Sequence, residues 1–178
     1  MKGIRLDLNI YGSNIIDQII TPFKERRQDA TVGNTKLDRV SEYELKYNLD
    51  DLDIQDAFIN YKEKGSVIES LGSSYITFNR LNGGGDDVQY IKIKMTTKNN
   101  LVKIYYFNTK TNLIDKVESI LKKQGNEIVS ETIYYSDYQT IDYGIKVPFT
   151  KENVNEMKIV TKKITINPTI NLSIFEEN

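Results

Sequence analysis

Four groups of residues in this sequence have types and spacings that could carry chemistry. Asp50, Asp51, Asp53 and Asp56, with Asn48 beside them, gather the hard oxygen donors that calcium and magnesium prefer. Asn82-Gly83-Gly84-Gly85-Asp86-Asp87 has the glycine content of a loop whose backbone N–H groups converge on an anion. Glu118, Glu131, Asp137 and Asp142 are the carboxylates from which a glycoside-hydrolase pair would be drawn. Lys92, Lys94, Lys103, Lys116, Lys122, Lys123, Lys158, Lys162 and Lys163, with Tyr105 and Tyr106, have the make-up of a basic sheet face on which nucleic-acid bases stack.

Each group has a plainer reading in its context. The aspartates lack the glycine turn and closing glutamate of a calcium loop, and they sit where a short helix begins, where negative charge complements the helix dipole. The glycine run is followed by neither Lys-Ser/Thr nor a helix, and its own aspartates repel phosphate, so it reads as a hairpin loop. The carboxylates lie on β-rich segments, where acidic residues commonly face solvent. The lysines are interleaved with acidic residues and unaccompanied by an arginine cluster, which is how a solvated outer face that discourages edge pairing reads.

Composition narrows the classes further. The 178 residues contain 24 Lys+Arg and 25 Asp+Glu, so no large net field draws the chain to nucleic acid. Histidine, cysteine and tryptophan are absent. That removes the commonest general base, the thiolate nucleophile and the two preferred zinc and copper ligands, and it leaves no disulfide. The expectation is a non-catalytic chain with no cofactor and no bound metal. No run of 18 apolar residues occurs, so no helical membrane span is expected. The opening Met1-Lys2-Gly3-Ile4-Arg5-Leu6-Asp7 alternates like a strand rather than like a signal peptide.

The elements that would position any site are mostly strands. Tyr90-Ile91-Lys92-Ile93-Lys94-Met95 alternates with period two, placing Ile91, Ile93 and Met95 on one face and the lysines on the other. Strands are expected near 2–11, 14–21, 66–71, 75–80, 88–97, 101–108, 112–122, 127–138, 145–150 and 156–166. Turn chemistry at Lys98-Asn99-Asn100, Asn108-Thr109-Lys110-Thr111-Asn112 and Gln124-Gly125-Asn126 predicts a meander of antiparallel hairpins. Two short amphipathic helices are expected between 38 and 62. Ser41 and Glu44 resemble a capping box for the first, and Ile54, Ala57, Phe58 and Tyr61 form the apolar stripe of the second. Residues 24–36 are polar without periodicity and read as a loop. The fold class is therefore mainly β (α+β): one domain over 1–178, built on a curled antiparallel sheet that forms an incomplete β-barrel, with the helices as lid or plug.

Several stretches, taken in order, resemble the outer-membrane lipoprotein-sorting (LolA-like) family. They are Phe58-Ile59-Asn60-Tyr61-Lys62-Glu63-Lys64-Gly65 with Leu71-Gly72, then Tyr105-Tyr106-Phe107-Asn108-Thr109-Lys110-Thr111-Asn112-Leu113-Ile114. Next come Tyr135-Ser136-Asp137-Tyr138 through Gly144-Ile145-Lys146-Val147-Pro148-Phe149, and Ile164-Thr165-Ile166-Asn167-Pro168 with Phe175. The resemblance covers about residues 50–178, with a weaker match from Gly3 to Phe23. It departs from the family in lacking the long helix and first strands, the aspartate-proline of one hairpin, and a tryptophan after the second strand. The carrier's key arginine belongs to that missing region and is not carried over.

The resemblance implies an incomplete barrel with a helical lid in the periplasm or outer membrane of a Gram-negative bacterium. It also implies a role in lipid binding or transport, with an apolar or lipid-like ligand or a lipoprotein as partner. The expected ligand cavity is walled by Ile91, Ile93 and Met95 together with Val102, Ile104 and Tyr106, with Ile54 and Phe58 as lid residues; the protein is expected to be a monomer without nucleic-acid partners. In the motif, Asp137-Tyr138 reads as strand-end architecture, Gly144 as a tight turn and Pro148 as an edge position. The rival readings are a structural or protein-interaction domain of a surface lipoprotein with a self-filled core, and, further off, a carboxylate-based hydrolase.

Overall fold

The computed structural model describes residues 4–10, 13–20, 25–30, 33–39, 57–77, 87–122, 128–154 and 158–164. The strands fall into two compact units, one carrying a four-stranded sheet and the other a seven-stranded sheet.

In the first unit β1 (Ile4–Ile10), β2 (Ser13–Ile20), β3 (Glu25–Asp29) and β4 (Asn34–Arg39) pair in sequence order, each antiparallel to the last. Strands β3 and β4 replace the loop expected at 24–36. Glu-Arg-Arg-Gln-Asp has no apolar alternation, yet its backbone pairs with β2 from Ile16↔Asp29 to Ile20↔Glu25. Glu25 is buried and accepts a hydrogen bond from Gln18 Nε2 at 2.6 Å, which satisfies a carboxylate beside buried Ile19 and Ile20.

The second unit is an antiparallel meander of β5 (Val67–Ile76), β6 (Val88–Thr96), β7 (Val102–Asn108), β8 (Ile114–Lys122), β9 (Ile128–Thr140), β10 (Lys146–Asn153) and β11 (Lys158–Val160). The expected hairpins at 98–100 and 108–112 are present. Asn100 and Asn112 both take the left-handed conformation, which asparagine tolerates, and the Asn108 side chain accepts hydrogen bonds from the backbone of Lys110 and Thr111. The strand expected at 66–71 and the start of the one expected at 75–80 are a single strand, β5, while 78–80 lie outside the described residues. Gly72, at φ +78°, belongs to a bulge that places Leu71 and Gly72 opposite Lys92, so the break in alternation is a bulge and not a turn. The expected tight turn at Gly144 is a short 3-10 turn, Asp142–Gly144, with Gly144 at φ +73°. Pro148 lies in β10 opposite Tyr138, two residues before the stretch that pairs with β11.

Among the described residues the sheet is open, with β5 and β11 at its two edges, and there is no closed barrel. The same residues contain no α-helix. Where the expected helical region 38–62 is described, Asp38 and Arg39 belong to β4 and 57–62 form turns that run on to Gly65. The remainder of that region, including Ile54, Ser41 and the aspartate cluster, lies outside the described residues, as do the glycine run 82–86 and the turn at 124–126. No helix among the described residues is long and apolar enough to cross a membrane.

Candidate functional site

Register decides what each face of the seven-stranded sheet offers, because directly opposed residues of neighbouring strands share a face. Across β6 and β7 the pairs are Ile91↔Phe107, Ile93↔Tyr105 and Met95↔Lys103 on one face. On the other they are Lys92↔Tyr106, Lys94↔Ile104 and Thr96↔Val102. The cavity wall expected from sequence is therefore divided. Ile91, Ile93 and Met95 share a face, while Val102, Ile104 and Tyr106 lie on the opposite one. Phe58 is half-buried in the turns at 57–60 of the first unit, and Ile54 lies outside the described residues.

The face carrying Ile91 has two adjacent apolar rows, bordered by a mixed row of Met95, Lys103, Ser119 and Glu131. One row runs Ile93, Tyr105, Val117, Ile133, and the next runs Ile91, Phe107, Ile114. Met95, Tyr105 and Val117 are buried, Ile93, Phe107, Ile114 and Ile133 are half-buried, and Ile91 is 45% exposed. The sequence supplied the β6 part of this face, Ile91, Ile93 and Met95, from the alternation of that strand. Tyr105, Phe107, Ile114, Val117 and Ile133 were missed because the parity of β7 relative to β6 depends on the length of the 97–101 turn. That turn closes with Thr97 accepting from Asn100 N and donating to Leu101 O, which fixes Thr96 opposite Val102.

The opposite face holds a polar network. Tyr90 OH donates to Asp115 Oδ2 at 2.9 Å, and Asn108 Nδ2 donates to the same oxygen at 2.8 Å. Tyr106 OH donates to Glu118 Oε2 at 2.8 Å, while Lys116 Nζ lies 2.6 Å from Glu118 Oε1 and 4.6 Å from the centre of the Tyr106 ring. Tyr90 and Tyr106 meet edge to face, with ring centres 6.3 Å apart. A bulge at Asp115 turns this residue toward Tyr90 while Lys116 remains opposite Tyr106. Burial raises the Glu118 carboxyl, but the hydrogen bonds from Lys116 and Tyr106 and the charges of Lys116 and Lys92 outweigh it and hold the group below the ordinary carboxylate range. Burial and the bond to Glu118 push the Tyr106 hydroxyl well above its usual value.

Among the described residues, the carboxylates and the tyrosines singled out in the sequence are not brought together into a site. Glu118 opposes Thr132 and Glu131 opposes Ser119, so the register sends these two carboxylates to opposite faces of the sheet. Asp137 and Asp142 are exposed, and Asp137 accepts a hydrogen bond from Gln139. Tyr105 and Tyr106 also lie on opposite faces and are both buried, so neither offers a ring for stacking against a base. Lys94 forms an ion pair with Glu69 at 3.0 Å. Among the described residues no three acidic side chains gather into a metal-binding group. No family model, curated protein or solved structure matches the chain.

Proposed function

We propose that this protein is a non-catalytic binding protein whose seven-stranded sheet takes an acyl-like, apolar ligand on the face lined by Ile91, Ile93, Phe107, Ile114 and Ile133. The observation that carries this reading is the two adjacent apolar rows with Ile91 45% exposed at their margin. A sheet curled as an incomplete barrel, of the kind the lipoprotein-sorting resemblance implies, would make this face concave and suit it to carrying lipid or lipoprotein acyl chains in a Gram-negative envelope. The second reading is a structural or interaction domain that fills the same face with its own side chains. It draws support from Met95, Tyr105 and Val117, which are already buried without ligand.

A fluorescent fatty-acid probe distinguishes the two readings. Saturable binding by the wild type, weakened at least about fivefold in Ile91→Ser with an unchanged melting temperature, supports the carrier, since about 1 kcal/mol of apolar contact corresponds to that factor. Absence of saturable binding by the wild type overturns it and leaves the structural domain.

A further inference from the structure

The edge strand β5 is self-complementary. Its ten residues read Val67-Ile68, Glu69-Ser70, Leu71-Gly72, Ser73-Ser74, Tyr75-Ile76: apolar pairs at both ends, polar pairs inside them, and the bulge at the centre. Val67 is 66% and Tyr75 70% exposed, and Leu71 also faces solvent. These are unusual residues to find on what is, among the described residues, the open edge of a sheet, where unpaired N–H and C=O groups invite another strand. The single charge, Glu69, is met by Lys94 of the neighbouring strand in the same chain, so an incoming copy would meet no uncompensated like charge.

We propose that β5 pairs antiparallel with β5 of a second copy about a two-fold axis perpendicular to the sheet, in place of the monomer suggested by the sequence. Residues 67–70 of one chain then lie against 76–73 of the other, with Leu71 and Gly72 at the axis. This pairing sets Val67 opposite Ile76, Ile68 opposite Tyr75, Glu69 opposite Ser74, and Ser70 opposite Ser73. Apolar residues meet apolar ones at the two ends and polar residues meet polar ones inside them, and each contact occurs twice, as an isologous interface requires.

The bulge is what makes the match possible. In a regular strand residues 67 and 76, nine apart, point to opposite faces and could not be opposed in a continuous sheet. The extra residue at 71–72 shifts the alternation. Ile68 and Tyr75 therefore share the face of Met95 and Ile91, whereas Val67 and Ile76 share the face of Thr96 and Tyr90. A bulge is often a device that protects an edge. Here it brings the two halves of the strand into one register with their own symmetry mates.

Sedimentation velocity across about 1 to 200 µM tests the association, since strand-edge contacts of this size give micromolar affinities at best. Wild-type protein is expected to pass from monomer to dimer across that range. Tyr75→Lys and Val67→Lys, both at exposed positions, should each raise the dissociation constant at least tenfold, about 1.4 kcal/mol, with unchanged circular dichroism and melting temperature. The absence of cysteine permits a test of register. A mixture of Ser70→Cys and Ser73→Cys chains should oxidise to the mixed disulfide in preference to either homodimer, because only the mixed pair is directly opposed. A wild type that stays monomeric throughout overturns the proposal and leaves the edge for a different strand. So does a dimer that both lysine variants leave intact, or cross-linking without preference for the mixed pair.

Discussion

The two faces of the seven-stranded sheet are built from the same strands, yet they differ in what holds them. The face of Ile91, Ile93 and Met95 is held by apolar contact, which has no direction and tolerates a ligand in place of a side chain. The face of Tyr90, Tyr106 and Lys116 is held by directed bonds to Asp115 and Glu118, each of which is lost outright when its donor or acceptor atom is removed. A binding function belongs on the first kind of surface and register specificity on the second.

Met95 is 1% exposed, and Met95→Ala should cost about 2–5 kcal/mol through lost burial and the cavity left behind, measured by urea unfolding. A loss under about 1 kcal/mol would mean that the apolar face collapses readily around Met95, at the low end of such cavity effects, and would weaken the contrast between the faces. On the other face, Lys116→Met leaves the Glu118 carboxylate partly buried with the Tyr106 hydroxyl as its remaining hydrogen-bond partner, so a loss of about 1–3 kcal/mol is expected. Because Glu118 titrates below its ordinary value in the folded protein, its contribution is present above about pH 4.5 and disappears as pH falls through the lowered folded-state value. Glu118→Gln should therefore flatten the fall in stability below about pH 4.5. An unaltered acid profile in that variant would show that the network is not where the acid sensitivity resides. Tyr138→Phe removes a 2.6 Å hydrogen bond to the Ile114 carbonyl and should cost about 1 kcal/mol.

How far the sequence foretells this arrangement depends on what each segment uses to pair. β6 through β9 alternate clearly, and their bounds are close to those expected from residue pattern alone: 88–97 against Val88–Thr96, and 127–138 against Ile128–Thr140. β3 carries no apolar alternation because its ladder is formed by backbone groups, which every sequence possesses, so nothing in Glu25–Asp29 announces a strand. The candidate face was half legible for a related reason. Alternation within β6 groups Ile91, Ile93 and Met95 correctly, but whether Tyr105 or Tyr106 joins them is a one-residue question that only the 97–101 turn answers. The polar network was not legible at all, since the bulge that brings Asp115 to Tyr90 has no glycine to mark it.

The smallest expected effect concerns Asp137, which sequence reading places in strand-end architecture needed for folding. It lies within β9, is exposed, and holds φ at +53°, a conformation that costs most residues about 1 kcal/mol and asparagine least among those with a side chain. Its one described side-chain bond is accepted from Gln139 Nε2 at 2.9 Å, and the carbonyl oxygen of an asparagine can accept it equally well. Asp137→Asn should therefore leave stability within about 0.5 kcal/mol of wild type or raise it slightly, whereas Asp137→Ala, with neither the backbone tolerance nor the acceptor, should lose about 1 kcal/mol. If Asp137→Asn is as damaging as Asp137→Ala, the carboxylate charge matters in itself. The left-handed backbone conformation would then not be what Asp137 supplies to β9.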